Sequence, residues 1–432
     1  MATHRYISAF SSRNYRLYFG GQVISLLGTW MTQTASLWLV YHLSSSPFLL
    51  GLVGFASQAP IFFLAPFAGV WIDRVNRHRL LLVTQILSML QSLGLAAFAL
   101  TGTINAPILV WMSLVQGLVN AVDLPVRQAL VVEFIEKKEH LGNAIALNSS
   151  MFNLARLIGP AVGGFIIARF GAGICYLADG LSYLAVIAGL LAMRLHKHPH
   201  KPPAQHPLIE LREGFRYAFS VSPIRALILV VGLVSFVGFS YSVLMPIFAR
   251  DVFGGDARTL GFLMSASGVG ALTGALYLGT RAGIRGLGNV IAFGGTLMAG
   301  GLIGFAFSRW LPLSLGCLAL VGAGGVLLMA SSNTLVQTFV EDNKRGRVMS
   351  IFTMAFTGTM PMGNLVMGSV ASSFGAPRAL AVSGMICGAV VFFFYLRLPQ
   401  LRRAAAPLLA KLELGPAEPV LYPVDKEDVD SE

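Results

Sequence analysis

Charged residues are so sparse along this chain that several long windows contain none. Leu17 to Ile72 has no Asp, Glu, Lys or Arg, and only Ser44-Ser45-Ser46-Pro47 breaks its apolar run. A bilayer core takes about 20 apolar residues of helix, so this stretch predicts two crossings. Leu80 to Val122, broken at Thr101 to Pro107, predicts two more. His140–Ala168, interrupted by Arg156, and Phe170–Met193, interrupted by Asp179, predict one each. After a polar segment come six further spans, at 226–249, 259–280, 286–308, 310–340, 348–377 and 379–396. The pattern is that of an all-α integral membrane protein with twelve transmembrane helices.

The loops give this pattern a direction. Lys and Arg concentrate in cytoplasmic loops of membrane proteins. With the N-terminus inside, only Arg169, Arg250, Arg258, Arg309 and Arg378 of the 31 Lys and Arg residues fall outside, and Arg156 lies within a span. Both termini are therefore expected in the cytoplasm. A miscount of one span would flip every later loop and spoil this bias.

The most polar internal segment divides the chain into two sets of six spans. The expected units are a cytoplasmic N-terminal segment at 1–16, a six-helix bundle at 17–195, a cytoplasmic linker at 196–223, a second bundle at 224–398 and an acidic tail at 399–432. Leu130 to Glu136 (LVVEFIE) lines up with Leu335 to Glu341 (LVQTFVE), each between the fourth and fifth spans of its half. Parallel repeats of this kind place a substrate site at their interface near the membrane midplane. The linker holds His196, His198, His200 and His206 among prolines and then a basic amphipathic stretch from Leu208 to Phe219; we read the histidines as linker and expect no metal.

Composition agrees and narrows the function. The chain has 432 residues, 55% hydrophobic and 12% charged, with mean hydropathy +0.71. Soluble proteins carry roughly 25% charged residues, so lipid is the fitting solvent. The formal charge of +12 sits in short loops and reads as topology rather than as a nucleic-acid partner. Cys175, Cys317 and Cys387 stand alone in apolar spans, without a disulfide or zinc pattern. No G-x-S-x-G, H-E-x-x-H or G-x-x-x-x-G-K-[ST] occurs, which speaks against an enzyme and against a self-contained ATP-driven pump. No cofactor is expected.

After the second span stands Gly69-Val-Trp-Ile-Asp73-Arg74-Val-Asn76-Arg77-His78-Arg79. A carboxylate and cations at a cytoplasmic helix junction can form a latch that breaks when two bundles rock apart. The run resembles the signature loop of the major facilitator superfamily, G-x-x-x-D-R-x-G-x-[RK]-[RK]. Gly69, Asp73, Arg74 and Arg79 match it, Asn76 replaces the second glycine, and Arg77 stands beside His78. In the fifth span, Gly159-Pro160-Ala-Val-Gly163-Gly164 looks like the core of that superfamily's antiporter motif. The segments Asn14-Tyr15-Arg16-Leu17, Gly28-Thr29-Trp30-Met31, Trp38-Leu39-Val40 and Asp123-Leu-Pro125-Val-Arg127 are similar to its enterobactin-exporter and macrolide-efflux branch, the transmembrane secretion effectors. The resemblance covers about residues 8–400. It implies two pseudo-symmetric six-helix bundles, a usually monomeric form, the bacterial cytoplasmic membrane, and proton-driven efflux of a small organic molecule such as a siderophore or drug. Ser113 stands where many drug antiporters of the superfamily have an arginine before Gln116-Gly117.

Polar groups inside lipid need a reason, because lipid offers no hydrogen bonds. Ser113, Gln116, Asn120 and Asp123 recur at spacings that share one helical face, as do Gln22, Ser25, Thr29, Gln33 and Ser36. Each stripe faces either a water-filled cavity or another helix; we expect Gln22, Thr29, Gln33, Ser113, Gln116 and Asn120 to line the cavity. Arg156 is expected to pair with Asp123 or Asp179, the acidic partner taking up a proton during the cycle; the alternative is a static pair that only holds helices together. Phe236, Phe239, Tyr241 and Met245 suit either an aromatic substrate or plain packing. An importer or symporter, and a non-transporting receptor derived from a transporter, stand as alternatives to export.

Overall fold

The computed structural model describes residues 8–72, 75–193, 207–281, 283–341 and 344–413, without the side chains of 65–72, 138, 207–211 and 407–413. In a bilayer every backbone N–H and C=O must be satisfied within the protein. Helices do so along their length, and short polar breaks separate them. The first half holds α1 (Arg13–Ser44), α2 (Pro47–Ile72), α3 (Arg77–Leu100), α4 (Ala106–Glu133), α5 (Leu141–Phe170) and α6 (Ala172–Leu191). The linker forms α7 (Pro207–Ser220). The second half holds α8 (Ser222–Val237), which continues through a 3-10 segment and a π turn to Val252, then α9 (Ala257–Gly279), α10 (Leu287–Phe307) and α11 (Leu311–Phe339). It ends with α12 (Arg345–Thr353), joined by a π turn to α13 (Thr359–Phe374), and α14 (Ala376–Glu413).

Capping fixes several starts. Asn76, Asn105 and Asp256 accept the free N–H groups of Arg79, Ile108 and Arg258 at 3.0, 2.9 and 2.9 Å. Eleven helices among the described residues are long and apolar enough to cross a membrane, and α12 with α13 make the twelfth crossing. Large apolar side chains such as Trp111, Phe307, Trp310 and Phe393 stand exposed on the outer surface, as a lipid-facing belt requires.

The same pairing scheme occurs twice. In the first half α1 packs on α5 and α6, α2 on α4, and α3 on α4 and α6. In the second half α8 packs on α13 and α14, α9 on α11, and α10 on α11 and α14. Even the tightest turns repeat: Gly171 (φ 83°) joins α5 to α6, and Gly375 (φ 86°) joins α13 to α14, a region that glycine enters without steric cost. The halves meet along two seams, α5 with α9 and α2 with α13.

Two span ends differ from expectation. The seventh crossing reaches Val252, because a π turn at Phe248–Val252 carries the helix past the apolar run. The last helix continues through Arg397, Arg402 and Arg403 to Glu413, where a tail from 399 was expected. Long arginine stems lie along apolar surface while their heads reach water, so cations near a helix end do not terminate it.

Candidate functional site

The glycines of the fifth-span motif are divided between α1 and the α5–α9 seam. Gly159 and Gly163 lie against α1, where an added Cβ would come within 2.5 Å of Trp30 Cβ and 3.1 Å of Met31 Cα. Gly164 lies against α9, 2.5 Å by the same measure from the Ala257 carbonyl oxygen. Pro160 contributes its carbonyl oxygen to the close approach of Gly261, at 2.6 Å. Further along, Ser265 Oγ donates to Leu157 O at 2.6 Å, and Gly268 packs on the backbone of Leu157. The second seam is built alike, with Gly51 and Gly54 of α2 against Asn364 and Gly368 of α13. Such crossings depend on small residues that let backbones touch.

Both seams belong to one end of the molecule. There, the end of α1 also meets the end of the α8 crossing. Tyr41 donates a short hydrogen bond to Asp251. Arg250 stacks over the Tyr41 ring at 5.1 Å and donates to Tyr41 O and Ser45 Oγ at 3.3 and 3.1 Å. At the opposite end the faces of α5 and α9 are bare. The α9 face that presents Gly261, Ser265 and Gly268 continues to Leu276, which is 64% exposed. The α5 face that presents Leu157 and Gly164 continues to the exposed Ala146 and Ser150. The Ser150 hydroxyl turns back to Ala146 O at 2.9 Å. Along the α5–α9 seam the bundles are thus closed at one end and splayed at the other.

Within the first bundle, α4 carries the most developed polar cluster. Asp123 is 1% exposed. Its Oδ1 accepts from Thr84 Oγ1 at 2.8 Å and Gln85 Nε2 at 2.6 Å, both on α3. Its Oδ2 accepts a short hydrogen bond from Arg127 Nη2, one turn on. Arg127 Nη1 in turn donates to Gln22 Oε1 of α1 at 2.7 Å. The cluster ties α1, α3 and α4 together. The second buried carboxylate, Asp179 of α6, accepts from Ser92 Oγ of α3 at 2.7 Å. It fits against α1 because residue 28 is glycine; a Cβ there would come within 2.6 Å of Asp179 Oδ1.

The expected pairing of Arg156 is therefore corrected. Asp123 takes Arg127 and Asp179 takes Ser92, while Arg156, half-buried on α5, has no hydrogen-bond or ion-pair partner among the described residues. The polar stripes are also resolved in part. Gln22 is buried under Arg127 and lines no open space. Gln116 donates to Ser88 of α3 at 3.2 Å and to Asn120 at 3.1 Å, and Ser113 to Leu109 O of its own helix at 2.7 Å; all three side chains stay half-buried. Thr29 and Gln33 of α1 are exposed.

Of the signature loop, Asp73 and Arg74 lie outside the described residues, as do the linker histidines and the tail beyond 413; Gly69 lies in the part of α2 whose side chains are not described. The rest of the loop staples its surroundings. Arg77 Nη1 bonds Glu133 Oε1 at the end of α4 at 2.8 Å, and the His78 ring bonds Leu190 O of α6 at 2.9 Å. Arg79 contributes its backbone N–H to the Asn76 cap. Outside the membrane at the closed end, the Asp256 carboxyl is held below the usual carboxylate range, first by the hydrogen bond from Arg258.

Sequence reading passed over Arg127, Glu133, Tyr41 and Asp251 as partners. Arg127 alone left a signal, four residues after Asp123 on what proved to be one helix.

Two glycine-built seams between twin six-helix bundles, the α5–α9 seam open at one end, are the architecture of a polytopic membrane transporter. Residues 6–425 match the family model described as transmembrane secretion effector, and the chain belongs to that family of the major facilitator superfamily. It is similar to the staphyloferrin A transporter of Staphylococcus aureus (28% identical, 88% of this chain and 95% of the relative). It is also similar to the enterobactin exporter EntS of Shigella boydii (24% identical, 92% and 95%). Among solved structures, a bacterial homolog of the human lysosomal transporter Spinster matches with TM-score 0.66 at 15% identity, over 92% of this chain and 98% of that one.

Proposed function

We propose that this protein exports a small organic molecule, of the siderophore or drug class, across a bacterial cytoplasmic membrane by proton-driven alternating access. One observation carries the reading: helix faces that pack through glycine at one end are the faces left bare at the other. Two bundles built this way can rock about their seams and exchange the open end. Relatives named as an exporter and as a siderophore transporter support the direction and the substrate class. The excess of Lys and Arg at the splayed end supports placing that end, and both termini, in the cytoplasm. The substrate then enters from the cytoplasm between the bundles, past Thr29 and Gln33.

Proton carriage falls to Asp123 and Asp179, the buried carboxylates of the described spans. Asp179 is held by a hydroxyl donor that can serve either protonation state, whereas Asp123 has the Arg127 guanidinium beside its hydroxyl and amide donors. Everted membrane vesicles with an inside-acid gradient test the proposal, using a panel of siderophores, macrolides and cationic dyes. Gradient collapse by one compound class, absent in vesicles without the protein and weakened by Asp179→Asn, is expected. Transport that persists without a pH gradient and is indifferent to Asp179→Asn and Asp123→Asn contradicts proton antiport. Substrate moving only from outside to inside favours import.

A further inference from the structure

Arg156 is set deep in α5, and no described side chain answers its charge. The helix begins at Leu141, so at ~1.5 Å per residue Arg156 lies ~22 Å from the splayed end of α5. Its neighbours on the helix fix where it faces. Gly159 and Gly163 lie against α1, and Leu157 and Gly164 against α9. Ile158, Val162 and Phe165, on the lipid side, are 44%, 40% and 52% exposed. At about 3.6 residues per turn, position 156 falls between the α1 and α9 contacts and opposite the lipid side.

Depth places it further. A Cβ on Gly268 of α9 would stand 2.9 Å from Leu157 Cα and 3.3 Å from Arg156 O. Beyond that contact the two helix faces are bare, so Arg156 stands where the closed seam opens into the path between the bundles. Trp30 of α1 packs on Gly159, which puts the exposed Thr29 and Gln33 at nearly the same level. The Arg156 side chain is half-buried and has no hydrogen bond, ion pair or ring contact among the described residues. The buried carboxylates are engaged elsewhere, Asp123 by Arg127 and Asp179 by Ser92. Every Asp and Glu outside the described side chains falls beyond the apolar spans in the sequence. An uncompensated charge within a span is costly, and a guanidinium offers paired donors that match a carboxylate.

We propose that Arg156 binds a carboxylate of the exported molecule, which makes the substrate an organic anion; this rests on the export function proposed above. One guanidinium among neutral groups is balanced by one negative charge, whereas a phosphate dianion would bring a second, unpaired charge into the same span. Thr29 and Gln33 then face the remainder of the molecule with neutral polar groups.

Fluorescence anisotropy with the purified full chain in nanodiscs provides the test. The probes are rhodamine B, which has a free carboxylate, and its ethyl ester, with N-dansyl-glutamate and its dimethyl ester as a second pair. A hydrogen bond to a charged group contributes on the order of ten- to a hundred-fold, so at least one acid should bind about ten-fold or more tightly than its ester. Arg156→Gln should remove that difference, and Arg156→Lys should keep part of it, because the charge remains without the paired donors. Arg309→Gln, exposed at the other end of the molecule, should leave it unchanged. Arg156→Gln should also melt no lower than wild type, since its side chain has no described partner to lose; a lower melting temperature marks a structural role and overturns the proposal. Esters that bind as well as their acids, no acid bound, or a preference that survives Arg156→Gln overturns it too. Phenyl phosphate displacing the bound acid at a lower concentration than benzoate does also overturns it, because the site would then prefer a phosphate. In everted vesicles, gradient collapse by cationic dyes alone leaves export standing and overturns the proposal. Acid binding that needs Arg156, without any gradient collapse, supports the proposal and contradicts proton-driven export.

Discussion

Removing Arg127 alone should cost more than removing Arg127 and Asp123 together. Asp123 is 1% exposed and receives three donors: Thr84, Gln85 and Arg127. Arg127→Met takes away its only cationic partner among the described residues and leaves the carboxylate among neutral groups between α3 and α4. Breaking a buried pair from one side costs about 3–5 kcal/mol, whereas replacing both members by apolar groups of similar size is often nearly neutral. The two hydrogen bonds from α3 remain in the single variant, so its loss should lie near 3 kcal/mol, the lower bound. Asp123→Leu with Arg127→Met removes the charge altogether. It still strands Gln85, at about 1–3 kcal/mol for an unmet buried donor, while the Thr84 hydroxyl keeps Leu81 O as its acceptor at 2.8 Å. The two changes should therefore be strongly non-additive, with a coupling of about 2 kcal/mol. Thermal unfolding of the four proteins of the cycle in one detergent, followed by tryptophan fluorescence, reads this directly. Equal melting temperatures for wild type and Arg127→Met, or additive losses in the double variant, would refute the view that this pair holds α1, α3 and α4 together.

Three further outcomes follow from the geometry. Gly164→Val should spread the α5–α9 seam, because its Cβ would stand 2.5 Å from a backbone oxygen that no side-chain motion can relieve; overpacking of about 1–3 kcal/mol should appear as faster labelling of a cysteine placed at Thr34, and unchanged labelling contradicts this. Asp251→Asn should weaken the Tyr41 contact and raise proteolytic cleavage of the α1–α2 turn, while Asp251→Glu should restore part of the protection. Asp256→Ala should cost about 0.5–2 kcal/mol through the lost helix cap. Because the folded carboxyl of Asp256 is held below its ordinary value of 3.8, its contribution is complete above that value and is lost as pH falls through the lower folded one. Wild type and Asp256→Ala should therefore converge in stability on strong acidification, and a gap that widens there contradicts the assignment.

The charge-free windows located every crossing because lipid excludes charge so severely that the count is written in the gaps. The interruptions were harder to read. Arg127 counts among the cytoplasmic-loop cations in the sequence, although α4 runs unbroken past Pro125 to Glu133 and places Arg127 over Asp123. A window without charges is blind to a charge neutralised by its own helix. Arg156 drew attention for the opposite reason, being isolated in sequence, and depth along the membrane could not say which helices turn toward it. The glycines of the fifth span were legible as a close contact, but only the fold divides them, with Gly159 and Gly163 to α1 and Gly164 to α9. The Tyr41–Asp251 contact joins helices of different bundles, and no local spacing announces it.

The account turns on two bundles that exchange their open end, and distances between them test this most directly. The native cysteines, Cys175, Cys317 and Cys387, are buried, so spin labels can be directed to exposed sites. One pair, Thr103→Cys with Trp310→Cys, spans the closed end; the other, Glu139→Cys with Thr280→Cys, spans the splayed end. In proteoliposomes, adding a transported compound or changing pH should lengthen the first distance and shorten the second within the same population. Two distances that stay fixed, or that lengthen together, would contradict alternating access about the glycine seams.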